Sequence, residues 1–541
     1  MTPILFIEPF FIIIFLINSI RSLLSQLYLW QLKEYRPDRI LSHLRTDTGR
    51  RLVQNPFIWI KWVVLLITFS LKNVIHPMVL LPLLGVLYGF DTLFSMLFPV
   101  FSPLRRPKIT FKSLLIILLT VLSLIYLWML FPLQIYYRIQ LIDRLIAIIL
   151  ILVVGITYIP TYVYIKWLTI RAKNKIKSMR GLTIIGITGS FGKTTTKEYI
   201  YQLLSKRFPV IKTEKNQNTE ISLAKTILEK VKPHHTIFIV EMGAYTRNEI
   251  RNLCKMTPPD ISVITGINEE HLDLFGSLEN IMKAKYEILE GLKTSGIAVL
   301  NINNPYVRLL KQRLIKERAD VKYFDYSVKS SGNNPSLDFK ITEVRFSSIS
   351  FQVSDGTTTI DNKIQMVGTH SIENLLAALT VGKVAGMTLQ EMNQFIHTLT
   401  TVPHRMELKT GTHGSIIIDD TYNANPTGVY SGLSHLSKFE GRRIAIITPL
   451  IELGKTASNI HEKIGYNAAK MCDYVLYTNA NYSDSFLTGF QKINSQPDAV
   501  RIGLTKENRE WLKRLITPKS ALYFSGREAQ KIMNAFINSD L

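Results

Sequence analysis

Five apolar runs in the first third of the chain constrain its fold more than any other feature. They lie near residues 3–20, 57–75, 77–102, 113–133 and 145–167. As a helix, each is long enough to cross a hydrocarbon layer about 30 Å thick. The first run has no basic leader or small-residue cleavage site, and more runs follow it, which indicates an anchor and not a signal peptide. We predict a membrane domain of about five transmembrane helices over residues 1–180.

Basic residues around these runs predict their orientation. Residues 1–180 hold 21 Lys and Arg against 6 Asp and Glu, and the whole chain has a net charge of +23. The basic residues concentrate in segments 21–56, 103–112 and 166–180, while the other two connections carry only Lys72, Arg138 and Arg144. The positive-inside rule then places the N-terminus outside the plasma membrane and residue 168 onward in the cytoplasm. Pro77 and Pro82 leave open an alternative in which residues 57–102 form one span plus a re-entrant hairpin in place of two spans.

The distribution of charge also limits the class of partner. Because the charge flanks apolar runs instead of lining a groove, the sequence disfavours nucleic-acid binding. Cys254 and Cys472 fit neither a disulfide framework nor a metal-binding spacing, and they suit a reducing cytoplasm.

Two acidic residues, Glu8 and Asp91, fall inside the apolar runs. An ionisable group in lipid is costly, and such groups are candidate functional residues. The alternatives are that Glu8 lies near the membrane interface and that Asp91 caps a helix broken after Gly89.

A phosphate-binding loop is predicted from GITGSFGKTTTKEY, residues 186–199, which follows the β-branched run LTIIGITG and opens a helix. In a strand–loop–helix unit, backbone N–H groups and the helix N-terminus bind phosphate. Lys193 would reach the β- and γ-phosphates, and the Thr194 hydroxyl would ligate Mg²⁺. Ile187 stands where the general motif has glycine. The predicted ATP contacts of the loop are Gly189, Ser190, Gly192, Lys193, Thr194 and Thr195.

Further segments, in order along residues 181–460, resemble the Mur ligase superfamily. These ATP-dependent enzymes add amino acids to peptidoglycan precursors, and the similarity is to the MurF type, which adds D-alanyl-D-alanine. The segments are the T-G-x-x-G-K-T-T loop, NQNTEIS (216–222), IFIVEMGA (237–244), PPDISVITGINEEHLDLFGSLENIMKAKYEI (258–288), HRMEL (404–408) and IIIDDTYNANP (416–426).

The resemblance implies a fold class for each part of the chain. An α-helical transmembrane bundle would be followed by an α/β central P-loop ATPase domain over residues 181–402 and a C-terminal doubly wound α/β domain over residues 403–541. The alternation of strand-like and helix-like segments over residues 441–541 independently predicts a small α/β domain.

The activity implied is ATP-dependent amide formation through an acyl phosphate, with ATP and two Mg²⁺ ions. By resemblance, Thr194, Glu241, His271 and Lys285 serve the metal ions, and Lys285 is carbamylated by CO₂. Carbamylation turns an ammonium group into an anion that can support Mg²⁺. Lys283 is the alternative lysine, although the Ala-Lys pair and the spacing from His271 favour Lys285.

Residues near the nucleotide are implied in the same way. Asn374 would contact adenine, although Ser371 replaces another asparagine of that motif. Arg405 would reach the phosphates, which suits the forked guanidinium group. Asp420 would hold the ribose, with its neighbour Asp419 as the alternative.

Three departures from the MurF type bear on the substrates. ITPLIELG (447–454) keeps Glu452 and Gly454 of a turn that is otherwise changed, and FSGREA (524–529) lacks a basic side chain at Phe524. The amine substrate is therefore left as an amino acid or short peptide. Membrane spans also occupy the place of the UDP-sugar-binding domain, so we expect the carboxylate acceptor at the membrane, as a lipid-linked glycan precursor or a polymer extended there.

Two other functions remain open from the sequence. One is a polymerising ligase like poly-γ-glutamate synthase, which shares the fold and the membrane habit. The other is a transport or regulatory protein in which ATP binding drives the spans. The set of Glu241, His271, Lys285 and Arg405 exceeds what ATP gating needs, which favours a ligase.

Overall fold

The computed structural model describes residues 4–45, 49, 55–71, 77–97, 106–214, 217–328, 337–422, 424–451, 453–494 and 496–537. The chain divides into two compact units, Met1–Tyr164 and Ile165–Leu541. The predicted domain bounds at residues 180 and 402 stay predictions.

The N-terminal unit is helical throughout its described elements. Among the described residues, three apolar helical segments are long enough to cross a membrane: Phe11–Leu32, Phe111–Leu130 and Ile135–Ser178, the last of which continues past Tyr164. The helix Pro56–Ser70 is apolar but shorter. These helices support the apolar character predicted for this region, and the five-span membrane bundle stays a prediction. The helices are α1 Ile4–Leu32, α2 Pro37–Arg45, α3 Pro56–Ser70, α4 Pro77–Leu97, α5 Phe111–Leu130 and α6 Ile135–Ser178.

Two helices extend beyond the apolar runs that predicted them. Helix α1 continues past residue 20, so that Arg21 lies inside a helix and not in a connection. Helix α6 begins at Ile135, so that Arg138 and Arg144 are helical as well. The interpretation of these residues as lying outside the helices is wrong, because arginine has a high helix propensity and does not end a helix. Arg144 forms a salt bridge with Asp143.

Asp91 is not a helix cap. Helix α4 runs unbroken through Gly89, and the Asp91 carboxylate forms a salt bridge of 2.6 Å with Lys61 on α3. A charged partner on a neighbouring helix therefore replaces the capping role that the sequence suggested. The side chain of Glu8 lies outside the described residues.

The central part of the second unit is built on a parallel six-stranded sheet with strand order β2-β3-β1-β4-β5-β6. The four inner strands are almost continuously buried, as expected for a parallel sheet covered on both faces. The strands are β1 Thr183–Thr188, β2 Val210–Lys212, β3 Ile237–Glu241, β4 Ile261–Ile264, β5 Ile297–Asn301 and β6 Lys322–Tyr326. The helices are α7 Lys193–Leu204, α8 Glu220–Lys230, α9 Glu249–Met256, α10 Leu272–Phe275, α11 Leu278–Glu290 and α12 Pro305–Glu317.

The register of this sheet places the predicted site at one edge. Strand β1 lies between β3 and β4, and Ile187 pairs with Glu241 in the parallel ladder. The carboxyl ends of β1 and β3 therefore meet, and the glycine-rich loop after β1 lies beside the end of β3. Ligands of open parallel sheets bind outside this edge.

A smaller antiparallel sheet completes the central part. Its order is β7-β8-β9, and it packs into the same core as the first sheet. Its strands are β7 Asp338–Val344, β8 Ile349–Ser354 and β9 Thr359–Ile364, and the helices that follow are α13 Thr369–Val384 and α14 Leu389–Ile396.

The C-terminal part holds a second six-stranded sheet, with order β10-β11-β15-β12-β13-β14. All neighbours pair in parallel except β10, which is antiparallel to β11. This architecture confirms the α/β fold predicted for the C-terminal domain. The strands are β10 Glu407–Thr410, β11 Ile416–Asp420, β12 Arg442–Ile447, β13 Tyr474–Tyr477, β14 Val500–Ile502 and β15 Ser520–Ser525. The helices are α15 Pro426–Leu436, α16 Ala457–Met471, α17 Ser483–Gln491, α18 Lys506–Leu515 and α19 Arg527–Met533.

Candidate active site

The glycines of the loop after β1 are required by space as well as by backbone angle. Gly189 has φ of 152°, and a Cβ there would lie 2.2 Å from Thr265 Oγ1. Gly192 has φ of 79°, and a Cβ there would lie 2.5 Å from Asn374 Oδ1. Gly192 has no side chain that could cap the first N–H groups of α7. These N–H groups are therefore available to donate hydrogen bonds to an anion held in the loop.

Lys193 and Thr194 begin helix α7 directly after this loop. The Lys193 ammonium donates to the carbonyls of Gly189 (2.7 Å) and Ser190 (2.9 Å). The Thr194 hydroxyl donates to Glu241 Oε2 over 3.0 Å. The structure thus brings the loop lysine, the loop threonine and the acidic end of β3 together, as the sequence predicted.

Glu241 is buried, with 4% of its surface exposed. Burial acts to raise its pKa, but the charges of Lys197 and Lys193, together with hydrogen bonds from Lys197 and Thr194, hold the pKa below its usual range. Among the described residues, the side chains of Thr194 and Lys197 both donate to Oε2, and no side chain donates to Oε1. A carboxylate oxygen without a protein donor, beside a threonine hydroxyl, is a donor set that suits Mg²⁺.

A cleft above this edge of the sheet gathers most of the predicted residues. Of the predicted set, Ser190, Gly192, Lys193, Thr194, Glu241, His271, Lys285 and Arg405 line it. Gly189, Thr195, Asn374 and Asp420 are not among its lining residues. The remaining lining residues are Phe191, Asn218, Gly243, Ala244, Tyr245, Glu270, Phe275, Tyr422, Asn425 and Arg527.

The two candidate lysines of α11 have opposite environments. Lys285 faces the cleft and is 3% exposed. Burial first, and then the positive charge of Lys193, lower the pKa of Lys285 to about 7. Lys283 is exposed and forms an i,i+4 salt bridge of 2.6 Å with Glu279. Only Lys285 is therefore placed to take part in chemistry in the cleft.

His271 also lines the cleft and lies immediately before α10. Its backbone is left-handed, with φ of 60°, a conformation that is uncommon for residues other than glycine. Its ring centroid lies 4.7 Å from that of Tyr245. The strained backbone and the aromatic contact fix the position of the imidazole at the wall of the cleft.

The C-terminal part contributes one wall of the cleft. The Arg405 guanidinium lies 4.3 Å from the ring centre of Tyr422. Asn268, in the loop after β4, donates from Nδ2 to Thr427 Oγ1 at the start of α15 over 3.0 Å. This bond is one direct contact between the two parts at the site.

Sequence reasoning missed Arg527, which lines the cleft at the start of α19. It stands three residues after Phe524, in the stretch FSGREA. In the sequence, this stretch drew attention only because residue 524 has no basic side chain. Phe524 is fully buried in the sheet. Arg527 supplies a cation from the same stretch, and its position after a strand end was the available signal.

The residues predicted to hold the nucleoside do not line the cleft. Asn374 Oδ1 accepts a bond of 3.1 Å from Thr196 on α7. Burial raises the pKa of Asp420 to about 6, and Tyr523 donates to it over 3.2 Å. Asp419 is paired with Lys409. The roles predicted for these residues stay predictions. Two residues of the motifs quoted above, Asn216 and Glu452, lie outside the described residues.

Comparison with known proteins adds independent information on this architecture. Residues 187–382 match the Mur ligase middle domain, and residues 404–516 match the Mur ligase glutamate ligase domain. Together the two matches span more than half of the chain.

The chain belongs to the Mur ligase family.

Curated relatives of this Mur ligase chain include UDP-N-acetylmuramoyl-tripeptide–D-alanyl-D-alanine ligases. The protein from Bacillus subtilis (strain 168) is 31% identical over 294 residues, which cover 53% of this chain and 60% of the relative. The protein from Escherichia coli (strain K12) is 30% identical over 290 residues, covering 53% and 62%. The chain thus spans about three fifths of the length of these relatives.

Solved structures agree with the fold. MurF ligase from Thermotoga maritima, in complex with ADP, is 26% identical with a TM-score of 0.59, covering 68% of this chain and 82% of that one. MurF from Acinetobacter baumannii has a TM-score of 0.60 at 22% identity, covering 68% and 78%. The expected family and its α/β ligase domains are therefore confirmed for this Mur ligase.

Proposed function

We propose that this Mur ligase is an ATP-dependent amide ligase that acts on a cell-envelope precursor through an acyl phosphate. The observation that carries the proposal is the single cleft that holds Lys193, Thr194 beside Glu241, His271, Lys285 and Arg405. The relatives named for joining a UDP-N-acetylmuramoyl-tripeptide to D-alanyl-D-alanine support the reaction class.

The reaction has two bond-forming steps. A carboxylate oxygen of the acceptor attacks the γ-phosphorus of ATP, and ADP leaves. The amine nitrogen of the second substrate then attacks the acyl carbon, phosphate leaves and the nitrogen loses a proton. The protein positions the reactants and neutralises charge, since a carboxylate and a triphosphate repel each other.

The residues of the cleft divide this work. The loop N–H groups and Lys193 bind the phosphates, and Arg405 faces them from the C-terminal part. Thr194, Glu241 and His271 would hold Mg²⁺, which when bound neutralises charge on the phosphates. The free Oε1 of Glu241 and its neighbouring hydroxyl fit that ion.

Lys285 is proposed to carry a carbamate. CO₂ adds only to a neutral amine, and a pKa lowered to about 7 leaves a large fraction of this amine neutral at the pH of a cell. The nitrogen forms a bond to the carbon of CO₂ and loses a proton, so a buried cation becomes an anion beside the metal ligands. The burial of Lys285 thus supplies both the neutral amine and the reason for modifying it.

The membrane location is a further part of the proposal. The apolar helices of the N-terminal unit and the predominance of basic residues support a multi-pass plasma-membrane protein with cytoplasmic ligase domains. A ligase tethered in this way meets a membrane-confined acceptor at a raised effective concentration. We therefore propose a carboxylate acceptor bound at the membrane, such as a lipid-linked glycan precursor, and an amino acid or short peptide as the amine.

The proposal is tested with the full chain in lipid nanodiscs. ADP release should require both an acceptor and an amine, tried first as UDP-N-acetylmuramoyl-tripeptide and D-alanyl-D-alanine and then as lipid extracts with amino acids. Mass spectrometry of lipid-linked precursors from cells with and without the protein should show a mass difference of one amine substrate. ATP turnover that is indifferent to every carboxylate and amine would overturn the ligase function.

A further inference from the structure

A second lysine of α7, Lys197, is fully buried behind the phosphate-binding loop. It stands one helical turn after Lys193, so both side chains lie on the same side of the helix. Its ammonium lies 3.2 Å from Glu241 Oε2 and 3.8 Å from Glu198 Oε1. Lys197 does not line the cleft, and among the described residues its bonded partner in the cleft lining is Glu241.

A buried ion pair of this kind adds little net stability, because removing two charges from water offsets most of their attraction. The pair has a larger effect on the charge of the site than on the stability of the fold. Lys197 places a fixed positive charge directly behind the one carboxylate that joins the loop threonine. It also takes Oε2 together with Thr194, which leaves Oε1 for a ligand in the cleft.

The charges that line the cleft are mixed in sign. Lys193, Arg405 and Arg527 carry positive charge, and Lys285 carries negative charge in the carbamylated form proposed above. The lining carboxylates are those of Glu241 and Glu270. With Lys197 behind Glu241, a divalent cation that enters alone meets no net negative charge, whereas a triphosphate brings several.

We propose that Lys197 is an internal counter-ion that makes metal binding at Glu241 conditional on the nucleotide. The ammonium holds Glu241 in place and cancels its charge, so the metal ion binds together with the triphosphate and not before it. The inference rests on the nucleotide site of the proposed function, and it assigns Lys197 a positioning role and not a catalytic one.

Mn²⁺ is a suitable probe, because electron paramagnetic resonance measures the free ion directly. The full chain in detergent is titrated with Mn²⁺ alone and with a non-hydrolysable ATP analogue. Wild type should bind Mn²⁺ weakly alone and tightly with the analogue. Lys197→Gln keeps a hydrogen-bond donor but loses the charge, and it should bind Mn²⁺ alone about tenfold tighter or more, because a unit charge close to a bound ion has a strong effect.

Matched variants locate the effect. Lys197→Arg should behave as wild type, and so should Lys206→Met, an exposed lysine just beyond α7. The double variant Lys197→Gln/Glu241→Gln loses both charges of the pair, and its gain in Mn²⁺ binding should vanish. This variant also excludes binding at His404, Glu407 and Asp419, which lie close enough to hold an ion but already surround the Lys409 ammonium.

A cooperative thermal unfolding transition shows that a variant is folded. If Lys197→Gln does not fold, Lys197→Met, which also removes the charge, takes its place in the Mn²⁺ titration. A folded Lys197 variant that binds Mn²⁺ alone no tighter than wild type overturns the counter-ion role. Failure of the proposed function is distinguishable, because that function is measured as ATP turnover that depends on a carboxylate and an amine, whereas the counter-ion role is measured as Mn²⁺ binding of the variants without nucleotide.

Discussion

Lys61 Nζ lies 2.6 Å from Asp91 Oδ2, between two apolar helices of the N-terminal unit, and both side chains are buried. Asp143 on α6 lies 3.6 Å from the same ammonium and accepts a hydrogen bond of 2.9 Å from Tyr88. Arg21 on α1 lies 3.9 Å from Asp91. One network of charges thus joins α1, α3, α4 and α6.

Breaking the Lys61–Asp91 pair should destabilise the N-terminal unit. Asp91→Asn or Lys61→Met removes the nearest partner of a buried charge and leaves only a more distant one, which costs up to about 3–5 kcal/mol. Resistance to unfolding in mixed detergent micelles measures the loss. The double variant Lys61→Met/Asp91→Leu should recover part of it, and Lys108→Met, at an exposed lysine, should have no effect. Single variants as stable as wild type would contradict the network.

Labelling of introduced cysteines tests the orientation. A cysteine at Gln134, which is exposed between α5 and α6, should react with an impermeant reagent applied outside the cell. A cysteine at Ile109, 83% exposed before α5, should not. The native Cys254 and Cys472 are buried and give little background. The opposite labelling pattern would reverse the proposed topology.

Lys193→Ala should abolish nucleotide binding without unfolding the protein. The side chain bonds only to carbonyls of its own loop in the described residues, so its loss removes a phosphate ligand and not a core contact. Binding of a fluorescent ATP analogue should fall at least about a hundredfold, in keeping with the loss of a charge-assisted bond and its steering. The thermal midpoint should stay near that of wild type, and unchanged nucleotide affinity would refute the role of the loop.

Lys285→Ala should impair formation of the acyl phosphate more than it weakens ATP binding. Formate, acetate or propionate should restore part of the activity, because a small acid can fill the space and supply the lost carboxylate. Lys283→Ala should stay near wild type, since Lys283 bonds only to Glu279 at the surface among the described residues. A dead Lys283→Ala with an active Lys285→Ala would show that the wrong lysine was chosen.

Activity of the wild type should fall as the pH drops through about 7. Lys285 has its pKa lowered to about 7, so below that pH the amine takes up a proton and cannot add CO₂. Above pH 7 the amine is neutral and carbamylation is favoured. CO₂-free buffer should mimic the acid limb. Lys285→Ala rescued by acetate has no amine at this position, so its pH profile should lack this limb; an unchanged limb would assign it to another group.

Local sequence patterns predicted much of the site because they act over few residues. The run TIIGIT followed by glycines and Lys193 defines a strand, a loop and a helix, and the structure has these elements over Thr183–Thr188 and Lys193–Leu204. The family motifs then located Glu241, His271, Lys285 and Arg405, which line one cleft.

The pattern could not predict pairs that form across helices or domains. Lys61 and Asp91 are 30 residues apart, and the sequence noticed only the acid, because a lysine near the start of an apolar run is ordinary. Lys197 stood unremarked in the helix that begins at the loop, because nothing in the local pattern shows that it meets Glu241. Arg527 was missed because its neighbour at residue 524 drew attention, and only the sheet order brings the end of β15 to the cleft.

The sequence by itself determined the chemistry that the chain can offer, because glycines, a loop lysine and strand-ending acids have local conformational and chemical preferences. It also determined which segments are apolar. The tertiary structure decided which charges meet: it turned Asp91 into a buried partner of Lys61, buried Lys285 and left Lys283 in water, and set Lys197 behind Glu241. Burial and distance fix the strength of an electrostatic interaction, and both arise only when separate elements pack together.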